Sequence, residues 1–173
     1  MLHFKVCLIG SFGVGKTSLV KRFVSSIYDD RYLTTVGVRV DRRELRAAGH
    51  DVTLVLWDLA GEDNFTGLSM KHLRGMSGYI LVVDGTRRDS YLAALRLQGE
   101  VAAEHPDARF VLLANKSDLR EDWEISPIEL EGLSGEGWNV HATSAKTGDG
   151  VEEAFEQLAG TLVEAALSAA QTA

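Results

Sequence analysis

Residues 10–17 read Gly10-Ser11-Phe12-Gly13-Val14-Gly15-Lys16-Thr17. An apolar run, His3–Ile9, leads into them, and a helical pattern over Lys16–Ser26 leads out. A buried strand that turns through glycines into a helix is a βα junction, and it commits the chain to an α/β architecture. The form Gly-x-x-x-x-Gly-Lys-[Ser/Thr] is that of a phosphate-binding loop. Its glycines let successive backbone amides point inward at phosphate oxygens, and the helix N-terminus adds partial positive charge. Lys16 supplies a point charge to the outer phosphates, and the Thr17 hydroxyl suits a hard Mg2+ ion. The plainer reading, a glycine turn with a surface lysine, fits the flanking strand and helix less well. The loop implies a nucleoside triphosphate site.

Elsewhere, short apolar runs alternate with helical stretches. Tyr79–Val83 and Arg109–Ala114 are continuously apolar, as strands buried on both faces are. Val36–Ala47 and Asp51–Trp57 flank Ala48-Gly49-His50 and predict an antiparallel hairpin. Helical spacing recurs near Ser90–Glu104 and over Val151–Ala166, where Val151, Phe155, Leu158, Leu162 and Leu167 fall on one face. Ser126-Pro127-Ile128-Glu129 has the form of a capping box with proline at the first helical position. Ile125 and Leu130 are placed as its hydrophobic staple. The expected fold is a doubly wound, six-stranded mixed sheet with one antiparallel edge strand and about five helices on both faces. Ligands of such sheets bind at the carboxyl ends of the strands.

The 173 residues suit a single domain over 1–173, with two prolines and no flexible linker. Hydrophobic residues at 45% and charged residues at 25% exclude wholesale disorder. No stretch of about 18 apolar residues is present to cross a membrane, and no export leader opens the chain. One cysteine, Cys7, suits a reducing compartment, so a cytoplasmic protein is expected. A net charge of −7 argues against a nucleic-acid or anionic-membrane surface. The charge is uneven: Lys and Arg against Asp and Glu number 14 to 11 over residues 1–100, and 4 to 14 thereafter. Arg39, Arg42, Arg43 and Arg46 read as a solvated strand face before they read as a docking site for an acidic partner.

Three further loops follow predicted strands. Asp58-Leu59-Ala60-Gly61 comes about 40 residues after the phosphate loop. Its carboxylate can hold Mg2+ through water, and Gly61 lets a backbone amide approach a terminal phosphate. In Asn115-Lys116-Ser117-Asp118, the aspartate can accept both hydrogens from guanine N1 and its exocyclic amine, which adenine lacks. Asn115 can complement the purine's other edge, and the Lys116 stem can pack over the ring. Ser144-Ala145-Lys146 places a backbone amide where it could meet the guanine carbonyl oxygen.

These four loops in this order resemble the Ras superfamily of small GTPases, over essentially the whole chain. Thr35-Val36-Gly37, Trp57-Asp58 and Thr143-Ser144-Ala145-Lys146-Thr147-Gly148 resemble its Rab-like branch. The resemblance implies a switch that binds GTP or GDP with Mg2+ and hydrolyses GTP. Gly13, Val14, Gly15, Lys16, Thr17 and Ser18 would line the phosphates, and Tyr28 would lie against the guanine. Thr17, Thr35 and Asp58 would serve the metal. Thr35 and Gly61 would respond to the terminal phosphate, with Thr34 the alternative to Thr35. Asn115, Lys116, Asp118, Ser144, Ala145 and Lys146 would read the base. An effector or regulator protein would read the two switch segments, with Trp57 between them, and a monomer is expected.

Two departures bear on hydrolysis. Where the family places a glutamine that orients the attacking water, this chain has Glu62, followed by Asp63. A carboxylate lacks the amide donor and brings negative charge toward a phosphate already dispersing its own. The alternative makes Glu62 a general base. Phe12 stands where most members have a small residue. Its ring either crowds the catalytic water or swings outward. Together these predict slow hydrolysis with Lys16, Thr35, Gly61 and Glu62 as the catalytic set, unless Arg74 or Arg31 compensates. The opposing reading is a nucleotide-gated binding module with negligible hydrolysis. The last residues, 168–173, hold no cysteine for a prenyl anchor, so either no lipid is used or a tail is missing; the Ras-like proteins of prokaryotes fit the first case.

Overall fold

A computed structural model describes residues 1–26, 37–61 and 67–172. Among them six strands form one sheet: β1 (Leu2–Ile9), β2 (Val38–Ala47), β3 (His50–Leu59), β4 (Gly78–Asp84), β5 (Arg109–Asn115) and β6 (Val140–Ala142). Their spatial order is β2-β3-β1-β4-β5-β6. β2 pairs antiparallel with β3, and every other pairing is parallel. The helices are α1 (Lys16–Ser25), α2 (Gly67–His72), α3 (Arg88–Glu104), α4 (Pro127–Gly135) and α5 (Val151–Thr172), with a 3-10 helix over Ser117–Asp122. This is the expected mixed sheet with its antiparallel edge.

Strand alternation divides the core into two layers. Phe4, Val6 and Leu8 of β1 meet Leu19 and Phe23 of α1 and Phe155 and Leu158 of α5. Cys7 and Ile9 meet the other layer, which includes Leu97 and Val101 of α3 and Leu133 of α4. Burial on both sides is why Val6, Cys7, Leu8 and Ile9 of β1 form an unbroken apolar run. Phe23 and Phe155 stack at 4.1 Å, and Arg43 of β2 lies 4.0 Å over the Phe23 ring.

The hairpin turn is shorter than expected. Ala48 (φ 47°) and Gly49 (φ 79°) suffice, because two successive residues at positive φ match the twist of antiparallel strands. β2 begins at Val38; Val36 lies outside the described residues. β3 runs through Asp58 and Leu59, so Asp58 is a strand residue, paired with Leu8 and Arg39 rather than free in a loop.

The predicted cap of α4 is present: Ser126 Oγ accepts from Glu129 N at 3.3 Å, and the Glu129 carboxylate accepts from Ser126 N at 2.9 Å. Arg88 of α3 donates to the same carboxylate at 2.7 Å, holding Glu129 down to about 2. Ile125 and Leu130 join one apolar cluster there. α5 continues to Thr172, about 33 Å in all. Leu167, expected on its buried face, is not there: five residues beyond Leu162 it lies about 140° around the helix, so it is 40% exposed, while Val163 is buried and Ala166 still packs on the core. α2 shows no legible period in six residues.

Candidate functional site

Because β1, β3, β4, β5 and β6 run parallel, the loops leaving their carboxyl ends converge on one edge of the sheet. After β1 the glycine-rich loop curls around its own lysine. Lys16, 6% exposed, donates from Nζ to the carbonyls of Gly10 (2.9 Å) and Ser11 (3.0 Å). Gly15 caps α1 at φ 104° and makes no side-chain cap bond. A helix N-terminus that opens on glycine lets an acceptor from outside the chain approach its backbone amides. A side chain on Gly15 would run into Asn115. Ser11 Oγ is buried with no hydrogen-bond partner among the described residues, a polar atom beside the loop that suits an oxygen-rich ligand.

Thr17 Oγ1 donates to Asp58 Oδ2 at 2.5 Å, joining the start of α1 to the end of β3. Asp58 is fully buried. A hydroxyl and a carboxylate at this spacing form a hard-oxygen pair suited to Mg2+. Gly61 comes so close to the phosphate loop that a Cβ would stand 2.6 Å from Phe12 N and 2.9 Å from the Ser11 carbonyl carbon. Phe12 itself is 51% exposed, so its ring is turned outward rather than folded beneath the loop.

Asn115 joins three of the loops. Its Nδ2 donates to Val14 O (3.0 Å), and its Oδ1 accepts from Thr143 Oγ1 (3.2 Å) and Ala145 N (3.3 Å). The purine-edge role expected of it thus sits beside a scaffold role within the protein. Lys116 Nζ lies 2.5 Å from Asp84 Oδ2 at the buried end of β4. Ser144 Oγ donates to Asp118 Oδ1 at 2.7 Å, turning that carboxylate toward a pocket of about 250 Å3. Gly15, Ser18, Asn115, Asp118, Ala145 and Lys146 are among its lining residues. The phosphate loop and the base-reading loops therefore border one continuous site whose glycine cradle, hard-oxygen pair and oriented carboxylate fit a guanine nucleotide with Mg2+.

Some supporting residues carry no sequence motif. Arg22, in the last turn of α1, donates from Nε to Ala145 O at 2.8 Å and from Nη2 to Lys146 O. Arg22 gives no local signal, and Thr143, though it opens the Thr143–Gly148 run, gives none of its bond to Asn115. Asp84, an acid closing an apolar strand, does. Arg74 lies in the connection to the amino end of β4, where its carbonyl accepts from Lys5 Nζ at 2.8 Å, at the opposite end of the sheet from the phosphate loop. Tyr28, Arg31, Thr34, Thr35, Glu62 and Asp63 lie outside the described residues.

A family model described as the Ras family matches residues 5–164. The chain is 35% identical over 161 residues to the Ras-related protein Rab-4 of Dictyostelium discoideum, covering 92% of this chain and 78% of that protein. It is 34% identical over 167 residues to the Ras-related protein RABC2b of Arabidopsis thaliana, covering 94% and 81%. With the fold and the converging loops, these matches make the chain a Rab-like member of the Ras family of small GTPases.

Proposed function

We propose that this protein binds GTP and GDP with Mg2+ at the converging loops and acts as a slowly self-resetting switch. The observation that carries the reading is the Asn115 hub: one side chain bonds the phosphate loop and the Thr143–Ala145 segment, so both ends of a nucleotide would meet one scaffold. Lys16 and the α1 amides would neutralise the phosphates, Thr17 and Asp58 would hold the metal, and Tyr28 would cover the base. Asp118, held by Ser144, would accept from guanine N1 and the exocyclic amine, and Ala145 N would stand near the guanine carbonyl. Bound Mg2+ supplies charge that offsets the phosphates. Thr35 and Gly61 would be drawn in only by the triphosphate, ordering the two switch segments for a protein partner.

Glu62 supports slow turnover, since a carboxylate repels dispersing phosphate charge and cannot donate to it. A monomer working in the cytoplasm completes the reading. Equilibrium titration with GTP, GDP and ADP in Mg2+, followed by single-turnover hydrolysis of bound GTP, tests it. Guanine preference with turnover far slower than minutes is expected. Equal ADP affinity removes the guanine site, and turnover within minutes removes the slow switch. Retention of GTP without turnover would favour the alternative, a nucleotide-gated binding module.

A further inference from the structure

Behind the base-reading loop stands a residue that the nucleotide site proposed above does not use. Trp123 follows the 3-10 helix Ser117–Asp122 and donates from its indole Nε1 to the carbonyl of Lys116 at 2.9 Å. The same carbonyl accepts from Leu119 N at 2.9 Å, so it is the acceptor on which the turn carrying Asp118 begins. Lys116 has φ 68°, a left-handed conformation that a residue with a side chain holds only when its surroundings enforce it.

Three contacts enforce it. The Lys116 ammonium is held by Asp84 at 2.5 Å. Gly85 N donates to Asn115 O at 3.0 Å, and Glu124 N donates to Gly85 O at 2.8 Å, so β4, the base-reading loop and the Trp123 segment are laced together. The Trp123 ring packs so closely on Gly85 that a Cβ there would stand 2.1 Å from Cε2 and 2.3 Å from Nε1 of the ring, and Arg120 lies 4.3 Å from its centroid.

We propose that Trp123 is a positioning residue for recognition of the guanine base. It holds the Lys116 carbonyl, and with it the left-handed turn that aims Asp118 at two hydrogens of the base. One oxygen of Asp118 is already fixed by Ser144 at 2.7 Å. A tilt of the turn therefore rotates the carboxylate about that contact and takes the other oxygen off its target. The contact most sensitive to such a rotation is the exocyclic amine, which hypoxanthine lacks. The inference rests on the guanine-nucleotide reading of the site.

The test compares affinities for GDP and IDP, with Mg2+, in the wild-type protein and in Trp123→Phe, which keeps a ring on Gly85 but loses the indole donor. Loss of one neutral hydrogen bond predicts about fivefold weaker GDP binding and a narrowed GDP-to-IDP ratio, with IDP binding little changed. Gly85→Ala, which displaces the ring and leaves the indole intact, should narrow the ratio in the same direction, and circular dichroism checks that both variants are folded. A ratio unchanged in both variants, whether GDP and IDP weaken together or neither does, overturns the role of Trp123. A wild-type protein that binds ADP as well as GDP overturns the guanine site itself, and this proposal with it.

Discussion

Arg87, the residue before α3, donates from Nη1 to the backbone carbonyl of Phe12 at 2.7 Å, across 75 residues of chain. Its Nη2 bonds Asp89 at 3.1 Å, which aims the guanidinium. The phosphate loop is thus held by a side chain from outside the loop, at the position of its one aromatic residue.

Arg87→Ala should free the loop there. The pair is partly exposed, which limits its worth, so dissociation of bound GDP should quicken only about threefold. Chase of a fluorescent GDP analogue in Mg2+ measures this. An unchanged rate would separate the contact from nucleotide retention.

Asn115→Ala removes more than a contact with a base. It leaves the Val14 carbonyl and the Thr143 hydroxyl without their partner in a buried setting. The nucleotide-free protein should lose about 2 kcal/mol of stability in urea unfolding. Equal unfolding midpoints for the two proteins would show that the hub does not hold the loops together.

Alkaline stability follows from two buried acids. Burial pushes the Cys7 thiol from 9.0 up to about 12, and the Tyr79 hydroxyl from 10.0 up to about 12. Both groups hold their protons more tightly folded than unfolded. Their contribution is complete below about pH 9 and is lost as pH rises toward 12. Melting temperature should therefore decline above pH 9, and Cys7→Ala should flatten the first part of that decline. Near neutral pH the folded thiol should resist a thiol-directed reagent until the protein is unfolded.

Glu62→Gln tests the chemistry. Restoring an amide donor and removing the charge should raise single-turnover hydrolysis by about tenfold. No change would move the defect to Phe12, and a fall would make Glu62 the general base.

β1, β4 and β5, the β2–β3 hairpin, the α4 cap and the four loops were legible because each is written in local chemistry: apolar runs, a glycine turn, a serine three residues before a glutamate, glycines before a lysine. β6, three residues long, has no such signal. Element ends were less legible. Asp58 reads as a loop residue but is a strand residue, since pairing with Leu8 on one side and Arg39 on the other extends β3 past its apolar stretch. Leu167 reads as one of the apolar face of α5 but lies about 140° around the helix from Leu162, which leaves it exposed.

The identity of the site and its family are local properties of the chain, because a phosphate loop and a base-reading loop each need a few residue types at fixed spacing. Which side chains hold those loops in place is not local. Arg22 reaches Ala145 across 123 residues, Asn115 reaches Val14 across 101, and Trp123 finds Gly85 only because β4 and β5 are neighbours. Such contacts depend on strand order and helix placement, and no periodicity along the chain records them. Sequence pattern names the groups that would touch a nucleotide; the packing of distant segments decides how firmly they are aimed.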